Sequence, residues 1–226
     1  MDAPGYLALV GGGEWRPGCD FDIELLEAAG TDEVLVLPTA AAFEHPARLV
    51  ESAVQWFATL GGHAVGLGVL NRRDAHDPSM AEAVAAARFL YLAGSSPMHL
   101  RSVLKDTPVW DALVTAWQGG AVLAGSSAGA MVLTDPMVDP RGGAFTVGLG
   151  VIAPLAVVPH IDTWSEDKAH RTRVLAPKAT PVVGIDERTA LLRTPDGSWR
   201  AEGAGRVQVW LAGQPSGLDV LPGSSP

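Results

Sequence analysis

Five short apolar runs alternate with segments of helical spacing in this chain. They are "YLALVGGG" (6–13), "EVLVLPTA" (33–40), "HAVGLGVL" (63–70), "RFLYLAGSS" (88–96) and "AVLAGSSAG" (121–129). Runs apolar at nearly every position suit strands buried on both faces, as a parallel sheet between two helical layers requires. Between them lie "FDIELLEAAG", "ARLVESAVQWFATLGG", "DPSMAEAVAAA" and "MHLRSVLKDTPVWDALVTAWQGG", several ending in Gly as helix C-termini do. The alternation predicts an α/β fold: a doubly wound, mostly parallel sheet flanked by helices and linked by right-handed crossovers. Ligands of such sheets bind beyond the carboxyl ends of the strands. The turns "GGGEW", "PTAAAFEHP", "AGSSPMHL" and "GSSAGA" fall there.

After residue 140 the pattern changes. "GGAFTVGLGVIAPLAVVPHID" is Gly-rich and apolar, and "TPVVGIDERTALLRTPDG" reads as strand, turn and strand. "SWRAEGAGRVQVWLAG" alternates as antiparallel strands do, which predicts a C-terminal antiparallel β extension. Without a linker or repeat, residues 1–215 are expected to form one domain and 216–226 a flexible tail. A hydrophobic content of 47% with 18% charged residues is that of a well-buried globular protein. The net charge of −9 argues against a nucleic-acid partner, since no basic patch is present to neutralise phosphates. Cys19 is the only cysteine, so no intrachain disulfide or thiolate zinc cluster is expected. "MDAPGYLALVGGGEW" lacks the basic start and the length of a signal peptide, and no run has the roughly 18 apolar residues of a membrane helix. Those features predict a cytoplasmic protein with no membrane partner. Trp56, Trp110 and Trp117 fall on helical segments; core burial accounts for them, with a helix-mediated homodimer as the alternative.

Gly125-Ser126-Ser127-Ala128-Gly129 fits G-x-S-x-G, the strained strand-to-helix turn that lifts a nucleophilic hydroxyl clear of a sheet. A serine hydroxyl needs an adjacent base, itself oriented by a third group. Of six histidines, His160 ends the apolar run "APLAVVPH" and so falls at a strand end on the site edge. For the orienting acid, Asp186 and Glu187 follow the strand in "VVGIDERTALL", and Asp135 follows the serine helix. Spacing alone leaves these three open.

"GGGE" (11–14), "LAGSSPMHL" (92–100), "GSSAGAMVLTDPMV" (125–138), "VPHID" (158–162) with "HRTRVL" (170–175), and "GIDERTALL" (184–192) occur in that order. Together they resemble the dipeptidase E and cyanophycinase family of serine peptidases, over nearly the whole chain. The resemblance implies a class I glutamine amidotransferase-like fold with Ser127 where the amidotransferases hold cysteine. It implies a Ser127-His160-Glu187 triad, with Asp135 second for the acid, and an oxyanion hole formed by the Ala128 N–H and the Gly94-Ser95 turn. It also implies a small acidic peptide as substrate, such as an N-terminal Asp-X dipeptide or a β-aspartyl peptide, and an arginine to bind its carboxylate. Arg171 and Arg173 match by position. Glu14 could meet a substrate amine or cap the following segment. No metal or other cofactor is implied. One departure stands out: relatives carry a second glycine and then an amide residue in the turn that here reads Ser95-Ser96-Pro97. The leading expectation is a serine hydrolase of small acidic peptides acting through an acyl-enzyme. The alternatives are an amidotransferase-like or esterase activity, or a binding protein whose oxyanion hole is impaired.

Overall fold

The computed structural model describes residues 3–223. A seven-stranded sheet runs through the middle, built from β1 (Leu7–Val10), β2 (Glu33–Ala40), β3 (His63–Gly66), β4 (Phe89–Gly94), β5 (Val122–Ser126), β10 (Thr189–Arg193) and β11 (Trp199–Gly203), in the order β11-β10-β1-β5-β4-β2-β3. The first five strands pair in parallel, while β10 joins β1 and β11 joins β10 antiparallel. A smaller sheet holds β8 (Ala156–Pro159), β9 (Val182–Ile185), β12 (Val207–Leu211) and β13 (Gln214–Ser216), and β6 (Met137–Val138) with β7 (Phe145–Thr146) makes a short hairpin. The expected α/β architecture, with its mostly parallel sheet and antiparallel extension, is present.

Alternate residues of one strand feed two cores, as the two-residue period dictates. In β1, Leu7 and Leu9 enter one apolar cluster while Ala8 and Val10 enter the other. The Ala8–Val10 face is covered by α1 (Phe21–Ala29) and α2 (Pro46–Thr59). The opposite face packs on α3 (Pro78–Ala86), α4 (Pro97–Leu104), α5 (Pro108–Gln118), the short α6 (Ala128–Val132) and the smaller sheet, beside which runs α7 (Glu166–Leu175).

The segment 98–120, read as one helical stretch, is two helices. Asp106 takes φ 55°, Thr107 accepts the Trp110 N–H, and Pro108 opens α5, where its missing N–H costs nothing. The C-terminal strands also part company: β9 and β10 are neighbours in sequence but lie in different sheets, as do β11 and β12. In the stretch read as a tail, Leu221 is buried and Pro222 O accepts the Trp199 indole N–H at 3.0 Å. Residues 224–226 lie outside the described residues. Trp117 is buried, its indole N–H on Gly5 O at 3.0 Å, and Trp110 packs partly buried against the same core.

The two sheets meet at the turn after β1. Gly11 O accepts the His160 N–H and Gly12 O the Arg188 N–H, each at 2.7 Å. Gly12 takes φ +105°, and a Cβ there would overlap the His160 imidazole. Gly12→Ala combines an unfavourable backbone conformation with that collision. The expected cost is about 2 kcal/mol, a fall in the unfolding midpoint of about 4–8 °C. Thermal unfolding followed by circular dichroism checks it, and an unchanged midpoint would show that the turn yields freely.

Candidate active site

Ser127 sits at φ 52°, ψ −109° between β5 and α6, a conformation side chains seldom adopt. Tight packing holds it there. The Ser127 N–H donates to Val10 O at 3.0 Å, and a Cβ on Gly125 or Gly129 would run into α6 or the Leu92 carbonyl respectively. The glycines of the motif thus let helix, elbow and sheet approach closely.

His160 ends β8 in the left-handed region, and its ring spans two partners. Nε2 lies 2.9 Å from Ser127 Oγ, and Nδ1 lies 2.8 Å from Glu187 Oε1. The His160 and Glu187 side chains of this relay are about one-third exposed, so the arrangement is open to a substrate. The remaining acid candidates face elsewhere. Asp186 Oδ2 accepts the Arg206 N–H at 2.8 Å, and Asp135 Oδ1 accepts the Gly148 N–H at 2.8 Å. Of the three acids, Glu187 is the one whose carboxylate meets the imidazole.

Ala128 opens α6, so its N–H belongs to the first turn, where the helix itself supplies no acceptor. β4 pairs with β5 up to Leu92↔Gly125, and Gly94 and Ser127 follow two residues later on the two chains. Ser95 Oγ donates to Glu44 Oε2 at 2.7 Å, which ties this turn to the loop after β2. Pro97 starts α4 and Ser96 precedes it. The position where relatives carry an amide residue is therefore spent on starting a helix.

Arg173 does not serve as expected. Its guanidinium pairs with Glu166 and lies 4.9 Å over the Trp210 ring, and Trp210 pairs with Val182 at the end of β9 remote from Glu187. Arg171 packs against Gly143. Neither lines the cleft that adjoins His160. That cleft, about 530 Å³, runs from His160 and Glu187 past Gly13, Glu14 and Arg16 to Ser52, Gln55 and Trp56 of α2. Arg16 is the guanidinium on its wall, and sequence reading passed over it because it lies in the first glycine turn and not in a basic run. Among the described residues, no three His, Cys, Asp or Glu side chains group as metal ligands would, and no helix is long and apolar enough to cross a membrane.

Under the cleft wall lies Asp22, fully buried, with Oδ2 accepting the Trp56 indole N–H at 2.9 Å and Oδ1 without a partner. Burial, more than the nearby Glu14 and Asp20, raises its pKa to about 8, against an ordinary 3.8. Between those values the folded chain holds a proton that the unfolded chain has lost. The group's contribution to stability is therefore full below about pH 4 and is lost as the pH rises through about 8. Asp22→Asn keeps an acceptor for Trp56 and removes the ionisation. Its unfolding midpoint, relative to the parent, is expected to climb between pH 5 and pH 8; a constant difference would mean an ordinary carboxylate.

Comparison with known proteins places this chain among relatives. The model of peptidase family S51 matches residues 7–198. A solved structure of a peptidase from an acI-B1 Actinobacterium superposes with a TM-score of 0.83 at 33% identity, covering 93% of this chain and 92% of that one. The cyanophycinase of Synechococcus elongatus is 26% identical over 194 residues, and that of Nostoc sp. (strain PCC 7120 / SAG 25.82 / UTEX 2576) is 27% identical over 192 residues. Each alignment takes in 80% of this chain, which spans 60% and 64% of those relatives' own lengths.

Proposed function

The chain belongs to peptidase family S51, and from that premise we propose that it is a serine peptidase acting through Ser127, His160 and Glu187. The observation that carries this reading is the unbroken relay from a strained elbow: Ser127 Oγ to His160 Nε2 at 2.9 Å and His160 Nδ1 to Glu187 Oε1 at 2.8 Å. An ionised carboxylate only accepts hydrogen bonds, so Glu187 takes the Nδ1 proton's bond and leaves Nε2 free to accept from the serine.

In the acylation step, Nε2 removes the Ser127 proton as Oγ attacks the scissile carbonyl carbon. The negative charge that develops on the carbonyl oxygen meets the Ala128 N–H and an N–H of the Gly94-Ser95 turn. The C–N bond then breaks, and the imidazolium returns its proton to the departing amine. Water, activated by the same imidazole, attacks the acyl ester; the C–Oγ bond breaks and Ser127 regains its proton. Glu187 steadies the imidazolium in both halves.

The substrate class we assign is small acidic peptides, either N-terminal Asp-X dipeptides or β-aspartyl peptides. Relatives that bear the name cyanophycinase support this choice, as does Arg16 on the cleft wall, a guanidinium suited to a substrate carboxylate. Hydrolysis of an Asp-X dipeptide, a β-aspartyl-arginine dipeptide, a neutral Ala-X dipeptide and an activated ester tests the reading. Ser127→Ala is expected to lower kcat on every cleaved member by roughly 10³-fold or more, and Glu187→Gln by about 10²–10⁴-fold. Preference for the aspartyl members fixes the substrate class. Turnover of the ester alone would overturn it, and turnover that survives Ser127→Ala would overturn the nucleophile.

A further inference from the structure

The relay leaves one charged group of the cleft without a task. Glu14 stands on the cleft wall beside His160 and Glu187. Its Oε2 accepts the Ser126 hydroxyl at 2.7 Å, so the carboxylate is fastened to the residue just before Ser127. Among the described residues no Lys, Arg or His pairs with it, although Arg16 lines the same cleft. Trp56 belongs to the same wall, its indole N–H held by Asp22, whereas the Trp15 indole is buried against Tyr91.

A carboxylate in a cleft that also carries an indole is chemistry that recognises an organic cation, through Coulomb attraction and the negative face of the aromatic ring. We propose that Glu14 is a specificity residue that binds the free ammonium at the amino end of the substrate. This rests on the hydrolase reading above and deepens it. An N-terminal ammonium lies only two or three bonds from the scissile carbonyl, and Glu14 shares its cleft with His160, the base of the relay. The other end of a dipeptide carries a carboxylate, which Glu14 repels, so the same charge also orients the substrate.

The experiment compares the cleaved aspartyl dipeptide with its N-acetylated form, for wild type, Glu14→Gln and Glu14→Asp. Labelling of Ser127 by a small fluorophosphonate is measured in parallel. Wild type is expected to favour the free amine at least about 30-fold in kcat/KM. Glu14→Gln is expected to lose most of that preference, chiefly through KM, while Ser127 still labels; Glu14→Asp, which keeps the charge, should retain part of it. A wild-type ratio near one overturns the proposal without any variant, as does an undiminished ratio in a Glu14→Gln enzyme that labels normally. If Ser127 labels but no aspartyl dipeptide is cleaved, the substrate reading fails by itself. Protection of wild-type Ser127 from labelling then decides about Glu14: protection by the free-amine dipeptide and not the acetylated one supports it, and equal protection or none overturns it. Absence of any labelling overturns both readings.

Discussion

Two backbone hydrogen bonds tie together the segments that supply the candidate site. The carbonyls of Gly11 and Gly12 receive the N–H groups of His160 and Arg188, joining the central sheet to the smaller one at the point where the chemistry is assembled. His160 comes from the end of β8 and Glu187 from the turn between β9 and β10, so neither is positioned by the strand that supplies Ser127. The seam adds a directional tie to the apolar core that α6 and the smaller sheet already share. A relay with hydrogen bonds near 2.8–2.9 Å tolerates little relative movement.

The glycines at this seam serve proximity as much as turning. Gly12 leaves room for the imidazole, and Gly125 and Gly129 let α6 press onto β5 and β4. The consequence is a serine whose backbone is strained and whose N–H is already committed to Val10. Strain of this kind persists only where surrounding packing over-determines it. Here the packing is dense: Leu9, Val10, Leu92, Ala124 and Ser126 are all buried.

The electrostatics of the cleft follow from which acids are buried. Asp22 loses its charge to burial, while Glu14 and Glu187 keep access to solvent and to hydrogen-bond donors. One acidic group thus serves as a buried bracket for Trp56, while Glu14 meets Ser126 and Glu187 the imidazole. A net charge of −9 says nothing of this division, because local environment decides which carboxyls are ionised.

The sequence by itself determined the layered α/β plan, because strands buried on both faces must be apolar throughout and the intervening helices must show their period. It also marked the elbow at Ser127 and the strand-end place of His160, since both depend on local turn chemistry. It could not choose among Glu187, Asp186 and Asp135, nor see that Arg173 is committed to Glu166 and Trp210 while Arg16 lines the cleft. Those outcomes hang on which sheet each C-terminal strand joins. β9 and β10 adjoin in sequence and separate in space, and the turn between them is held by Asp162, Arg206 and Gly12, partners that no local pattern reveals. Local pattern reaches only as far as neighbouring residues; the relay, the buried Asp22 under Trp56 and the tie of Glu14 to Ser126 arise from contacts between segments far apart in the chain.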